Sequence, residues 1–309
     1  MDAADTAYKV LEYPSSSVNF GTKVENNYQL SIVNYQLFCI FVAVMEYTLN
    51  CNGRLLDLST PRVMGILNVT PDSFYADSRQ QTEEGIVLRT RQILQEGGSI
   101  IDVGACSTRP GSEPATEAEE MERLRKALAL VRREAPEAII SVDTFRPAVA
   151  RMVVEEFGVD IINDVSEGAD AKMFRTVARL GVPYILMSVQ PTMREMLLHF
   201  AREVDVLRSY GQKDIILDPG FGFGKTLEQN YEILQGMEQL DMLHLPILVG
   251  VSRKSMIYKL LETDPSQALN GTTVLNTIAL TKGASILRVH DVKEAVEVVA
   301  LVESVECSV

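Results

Sequence analysis

Four side chains spread along the chain, Asp143, Asn163, Asp218 and Lys254, combine carboxylate and amide acceptors with amide and ammonium donors. Brought together, they suit a flat heterocycle that offers several N–H donors and ring acceptors, with Lys254 donating to a ring carbonyl. A second set, Asn68, Thr108, Arg109, Arg288 and His290, suits a phosphate or diphosphate, because a guanidinium engages phosphate oxygens two at a time. Asn68 supplies an amide oxygen for a magnesium ion bridging diphosphate oxygens, and such an ion neutralises charge on a departing diphosphate. Arg288 and His290 are two residues apart and share a face if they lie on one strand. Each residue also has an ordinary use: Asp143 as cap of a helix near Pro147, Asn163-Asp164 as a turn, Lys254 as a solvated charge, His290 as a structural histidine. Chemistry follows only if the fold gathers them.

The most distinctive stretch is Asp218-Pro219-Gly220-Phe221-Gly222-Phe223-Gly224-Lys225, after the β-rich run Ile215-Ile216-Leu217. An acid at a strand end, followed by glycines that permit positive φ and close approach, predicts a ligand-facing turn. It is not a P-loop, because the position five before Gly224 is Pro219. Nor is it a dinucleotide fingerprint, because the position five after Gly220 is Lys225.

The elements that must position these groups follow a repeating pattern. Apolar runs at 63–67, 99–103, 139–142, 160–163, 184–187, 215–217, 247–250 and 285–289 predict eight strands. Segments 83–96, 117–134, 147–157, 172–180, 193–210, 227–237, 270–282 and 292–305 predict helices between and after them. Strands alternating with helices imply βαβ units and a parallel sheet. Eight such units imply an α/β fold of the (β/α)8 TIM-barrel type rather than an open doubly wound sheet. Ahead of it, Asn52-Gly53 between runs 47–51 and 54–58 predicts an N-terminal β-hairpin. In such a barrel the site lies at the C-terminal ends of the strands. Both sets above fall there, together with Ser252 and Ser255.

The composition permits this reading. The chain has 309 residues, 46% apolar, with a net charge of −13. That balance argues against a general nucleic-acid binder but leaves room for a local cationic pocket. Cys39, Cys51, Cys106 and Cys307 lack metal-ligand spacing, and free thiols in a reducing cytoplasm are the simplest account. Residues 1–44 read as an extension of uncertain structure ahead of a barrel domain at 45–309. Its apolar part, 30–45, is short for a membrane span and has no preceding basic cluster.

The runs Asn68-Val69-Thr70-Pro71-Asp72-Ser73-Phe74, Ser107-Thr108-Arg109-Pro110-Gly111, Asp218 to Lys225, Ser252-Arg253-Lys254 and Arg288-Val289-His290 together resemble the motifs of the dihydropteroate synthase family. The resemblance spans about 64–302. It implies a pterin-binding TIM barrel, usually a homodimer, that joins 4-aminobenzoate to 6-hydroxymethyl-7,8-dihydropterin diphosphate with magnesium. It further implies that Asp143, Asn163, Asp218 and Lys254 bind the pterin, with Phe221 in the same set. Thr108, Arg288 and His290 would bind the diphosphate end, and Asn68 the metal. Arg109 would lie in a second loop and Ser255 near the aminobenzoate. Asp143, Arg109, Lys254, Arg288 and His290 are the catalytic candidates. Two stretches depart from the family pattern. Loop one reads Ser73-Phe74-Tyr75-Ala76-Asp77-Ser78, with its acid displaced and its glycines missing. Strand five ends Leu186-Met187-Ser188-Val189, where many members carry a histidine. Two alternatives are a corrinoid methyltransferase of the same superfamily, which has no need of the diphosphate set, and a catalytically silent pterin-binding paralogue.

Overall fold

Asn52 and Gly53 carry positive φ angles of 55° and 88°, as a type I′ turn requires. They join β1 (Thr48–Cys51) to β2 (Arg54–Asp57) in the expected antiparallel hairpin, with Leu49 opposite Leu56. The computed structural model describes residues 47–70, 79–106 and 115–306. The expectations for residues 1–44, for loop one after Thr70 and for Thr108 and Arg109 lie outside them.

The eight further strands close into a parallel barrel. They are β3 (Arg62–Asn68), β4 (Ile100–Gly104), β5 (Ile139–Asp143), β6 (Ile161–Asp164), β7 (Tyr184–Met187), β8 (Ile215–Asp218), β9 (Ile247–Val249) and β10 (Ala284–Val289). The crossovers run through α1 (Arg79–Gln95), α2 (Glu117–Glu134), α3 (Pro147–Phe157), α4 (Met173–Leu180), α5 (Met193–Ser209), α6 (Leu227–Gln235), the short α7 (Ser255–Tyr258) and α8 (Leu269–Leu280); α9 (Val292–Glu306) follows β10. Thr116 and Thr226 start α2 and α6 with reciprocal capping boxes, satisfying amides that a helix start leaves unpaired. The short α7 was not expected, since a single turn leaves no periodicity to read. No helix among the described residues is long and apolar enough to cross a membrane.

Side chains alternate along each strand, and the register puts the alternation of neighbouring strands in phase. Asn68 pairs with Gly104, Gly104 with Asp143, and Asp143 with Asn163. Two apolar clusters result. The larger packs the outer strand faces against the helices. The smaller holds Met64, Ile100, Ile161, Ile185, Ile216, Leu248 and Ile286 together with Leu49, Cys51, Leu56 and Leu58 of the hairpin region. The hairpin therefore seals the barrel at the N-terminal ends of its strands. It is tied there by Arg54, whose Nη2 donates to Asp160 Oδ1 at 2.7 Å, and by the Asn50 amide, which donates to Asp214 Oδ2 at 3.1 Å. Among the described residues the inward layer at this end is apolar, and polar inward side chains lie toward the opposite end.

Candidate active site

At that opposite end the inward residues form a charged floor. Arg288, the next-to-last residue of β10, donates from Nε to Asp102 Oδ2 at 2.7 Å and from Nη2 to Asp143 Oδ2 at 3.1 Å. Asn163 Nδ2 donates to the same Asp102 oxygen at 3.4 Å. Asn163 Oδ1 and Asp102 Oδ1 are buried and accept no protein hydrogen bond, which suits a ligand rich in N–H donors. Asp102 escaped the sequence reading. Its signal was an acid inside an otherwise apolar strand, two residues before Gly104 and so on the inward face.

The expected alternatives for these residues resolve by geometry. Asp143 does not cap α3, whose N-cap is Arg146 with no side-chain cap bond. Asp164, next to Asn163, points the other way and accepts from Tyr184 Oη at 2.7 Å and from Ser166. One strand end thus supplies a site residue and a framework residue in succession.

Burial pushes the Asp143 carboxyl up to about 7; Arg288 pulls against that, while Asp102 and Asp164 add to it. A carboxyl raised on folding binds its proton more tightly in the native state. Its effect therefore favours the fold at acid pH and is lost as pH rises from about 3.8 to about 7. The ligand-free protein should lose stability across that window, and Asp143→Asn should flatten the loss by a few kcal/mol. Urea unfolding of both proteins at pH 5 and pH 8 reads the difference; parallel pH profiles would refute it.

The glycine turn forms one wall. Gly220 and Gly222 have φ of 64° and 80°. A Cβ on Gly220 would lie 2.3 Å from the Ser188 carbonyl, and one on Gly222 would lie 3.1 Å from Lys254 Cδ. Glycine is needed at both for conformation and for space. Lys254 threads past Gly222, donates from Nζ to the Phe221 carbonyl, and sits 4.5 Å above the Phe223 ring. Burial brings its ammonium down to about 8, opposed by Asp218. Burial likewise raises Asp218, opposed first by Lys254. Lys254 is therefore no solvated charge. The ring of Phe221 is fully buried in the outer cluster, so this residue reaches the rim through its carbonyl alone. Lys225, the last residue of the motif, donates to the carbonyls of Ser188, Gly220 and Phe223 at 2.8, 3.1 and 3.3 Å and fastens the turn from behind.

Ser188, where the family pattern carries histidine, is a framework residue. Its hydroxyl bonds Glu167 Oε1 at 3.3 Å, and Glu167 also accepts from the Val189 amide at 2.7 Å.

His290 follows β10. Burial, and next the Arg288 guanidinium, hold its imidazole down at about 4, so it is neutral at physiological pH. Its Nδ1 lies 3.1 Å from Ser252 Oγ. Arg253, grouped by sequence with Ser252 and Lys254, turns aside and forms a two-pronged pair with Asp291 at 2.9 and 2.8 Å. Asn68 ends β3 at the rim, with Oδ1 3.3 Å from where a Cβ on Gly104 would stand. Ser255 opens α7. The structure brings together Asn68, Asp143, Asn163, Asp218, Lys254, Arg288 and His290 at one barrel mouth.

Comparison with known proteins bears on the same region. A family model described as pterin binding enzyme matches residues 64–290. The dihydropteroate synthase of Escherichia coli (strain K12) is 39% identical over 267 residues, covering 82% of this chain and 94% of the relative. That of Haemophilus influenzae is 36% identical over 259 residues, covering 79% and 94%. A Xanthomonas albilineans dihydropteroate synthase structure with 4-aminobenzoic acid superposes with TM-score 0.79 at 34% identity, covering 84% of this chain and 98% of that one. A Thermus thermophilus dihydropteroate synthase in complex with 4-aminobenzoate gives 0.74 at 34% identity, covering 84% and 99%.

Proposed function

The chain belongs to the pterin-binding enzyme family, and from that membership we infer which part of its rim meets which part of the substrates. Its reaction is that of the dihydropteroate synthases: 4-aminobenzoate is joined to 6-hydroxymethyl-7,8-dihydropterin diphosphate, giving 7,8-dihydropteroate and diphosphate. The observation that carries the assignment of the floor is the cluster of Asp143, Asn163 and Asp102 around Arg288, with two buried acceptor oxygens still open. There the pterin's N–H groups meet Asn163 and Asp218, and Lys254 meets its ring carbonyl.

The chemistry then follows from charge. The bond between the pterin methylene carbon and the diphosphate oxygen breaks, and the electron pair leaves on the diphosphate. Arg288, His290 and, from the second loop, Thr108 and Arg109 hold that departing anion. The dihydropterin ring spreads the positive charge left behind, and Asp143 beneath it stabilises that charge in a site shielded from water. The neutral amine of 4-aminobenzoate, held near Ser255, attacks the methylene carbon and releases its proton. No side-chain nucleophile is required.

Magnesium is tested by the donor set. Among the described residues no group of three or more His, Cys, Asp or Glu side chains could hold a metal, so no cage of protein carboxylates exists there. A single amide oxygen from Asn68 fits a magnesium ion that keeps its water and phosphate ligands. When bound, the ion supplies charge neutralisation for the departing diphosphate.

A homodimer in the cytoplasm completes the reading. Exposed Leu260, Leu261 and Val274 on and around α7 and α8 offer an apolar face, and the described cysteines, Cys51 and Cys106, are free thiols.

The deciding experiment is diphosphate release from the dihydropterin diphosphate, with and without 4-aminobenzoate and magnesium. Release that needs both is expected; tight pterin binding without release would leave a silent pterin binder. His290→Ala should cut turnover by roughly 10²–10³ while dihydropterin affinity, measured by calorimetry, changes far less. Equal loss of both would contradict the diphosphate role.

A further inference from the structure

We infer that Ser252 is a positioning residue that fixes the tautomer of His290, so that the imidazole meets the departing diphosphate as an Nε2–H donor. The functional half of this rests on the diphosphate role proposed for His290; the tautomer itself does not.

The argument is a count of protons. Ser252 Oγ lies 3.1 Å from the backbone nitrogen of His290 and 3.1 Å from Nδ1 of the same residue. A backbone N–H can only donate, so the hydroxyl accepts there. A serine hydroxyl has one hydrogen and two lone pairs. Among the described residues Ser252 Oγ has no partner besides His290, so its hydrogen stays paired in this buried position only if it goes to Nδ1, which then accepts. A ring nitrogen that accepts carries no proton, so the neutral imidazole carries its proton on Nε2. Burial and the neighbouring Arg288 keep the ring neutral, so the choice of tautomer is the choice between a donor and an acceptor facing the anion. An acceptor there would repel the diphosphate oxygens.

The neighbouring residues hold this geometry. Ser252 is 4% exposed, so water does not compete for its hydroxyl. Arg253 adopts φ of 54°, a left-handed conformation that costs a non-glycine residue energy and persists only where the surroundings impose it. Its guanidinium clasps Asp291 and also donates to the carbonyls of Pro265 and Ser266, each at 2.9 Å. Its own amide donates to Thr272 Oγ1 at 3.0 Å. Residues 252 and 253 are thus cross-tied to 290 and 291 in succession. The strained Arg253 sends its side chain to the outer tie, while Ser252 and Lys254 serve the rim.

The chain has three histidines, so nitrogen-15 spectra of the histidine-labelled enzyme are tractable, with the His290 signals assigned by their loss in His290→Gln. In the wild type a protonated Nε2 and an unprotonated Nδ1 are expected across pH 6–8. In Ser252→Ala the two forms should interconvert, and kcat should fall roughly tenfold, the scale of one hydrogen bond lost or reversed, with KM for the dihydropterin diphosphate within about twofold. Ser252→Thr, which keeps the hydroxyl, should restore both readouts. A protonated Nδ1 in the wild type overturns the inference without need of any variant. So does a folded Ser252→Ala enzyme that keeps a single tautomer, whatever its rate. If His290→Gln itself retained full turnover, the diphosphate reading would fail, and the spectra would still judge the tautomer lock.

Discussion

An Arg288→Met enzyme is expected to lose both its turnover and a large part of its stability. Arg288 is the one cation bonded to both Asp102 and Asp143 among the described residues, at 2.7 and 3.1 Å. The Asp102 side chain is fully buried and that of Asp143 is 15% exposed. Removing one partner of a buried ion pair leaves uncompensated charge, at a cost of about 3–5 kcal/mol. The cost should be smaller at pH 5 than at pH 8, because a carboxyl without its cation can take up a proton and escape the penalty. Turnover should fall by at least roughly 10²–10³, the usual scale for one lost electrostatic donor at a departing anion. Urea unfolding at the two pH values and the diphosphate-release assay read these effects. Adding Asp102→Asn to Arg288→Met should recover part of the stability and none of the activity. A variant as stable as the parent at pH 8 would show that the floor acids do not depend on this guanidinium.

The second large effect is expected at Asp218, and it should fall on affinity. The Gly220 amide donates to Asp218 Oδ1 at 2.8 Å, so one oxygen helps fold the turn while the carboxylate as a whole faces the mouth. Two N–H groups on one edge of a pterin match a carboxylate. Hydrogen bonds to a charged group contribute about 1.5–3 kcal/mol each, so Asp218→Asn should weaken dihydropterin binding by roughly 10²–10³. The amide keeps the acceptor for Gly220 and the side-chain volume, so the fold should survive. The change replaces an acceptor with an N–H that confronts the ligand's own donors. Calorimetry with a dihydropterin, alongside thermal unfolding, separates the two consequences. Unchanged affinity in a folded variant would remove Asp218 from the pterin site.

How much of this was legible in the chain depends on where the information lies. The barrel was, because each βαβ unit announces itself locally: an apolar run, a polar strand end, then a helical segment. The strand-end acids Asp143 and Asp218 could be read once the fold was known, since the barrel itself selects that face. Asp102 could not be read by the same rule, because it lies one inward position below the rim, where polarity begins before the strand ends. Ser252-Arg253-Lys254 resembled three rim side chains in a row. The positive φ of Arg253 divides them, and nothing in the local sequence requires an arginine to adopt it; the ties to Asp291, Pro265, Ser266 and Thr272 do. Phe221 shows the same limit: its type did not reveal that its ring lies in the outer core and that its carbonyl, which accepts from Lys254, is the part at the rim. The histidine replaced at Ser188 is a change of framework as well as of wall, since Glu167 gathers that loop.

The hairpin that closes the lower end of the barrel has a kinetic consequence. A vessel stoppered at the bottom has a single doorway, and depth then dictates traffic. On the proposed placement of the pterin against the Arg288 floor, the pterin is expected to enter before the aminobenzoate above it, and dihydropteroate to leave only after the diphosphate has cleared the same opening. Order of arrival and departure would then be a property of the container, closed at its far end by the packed inward layer of Met64, Ile100, Ile216 and Ile286 together with Leu49, Leu56 and Leu58 of the hairpin region. Initial-rate patterns with both substrates varied would show it directly as ordered addition, and a random pattern would mean that the second substrate can settle without the first beneath it.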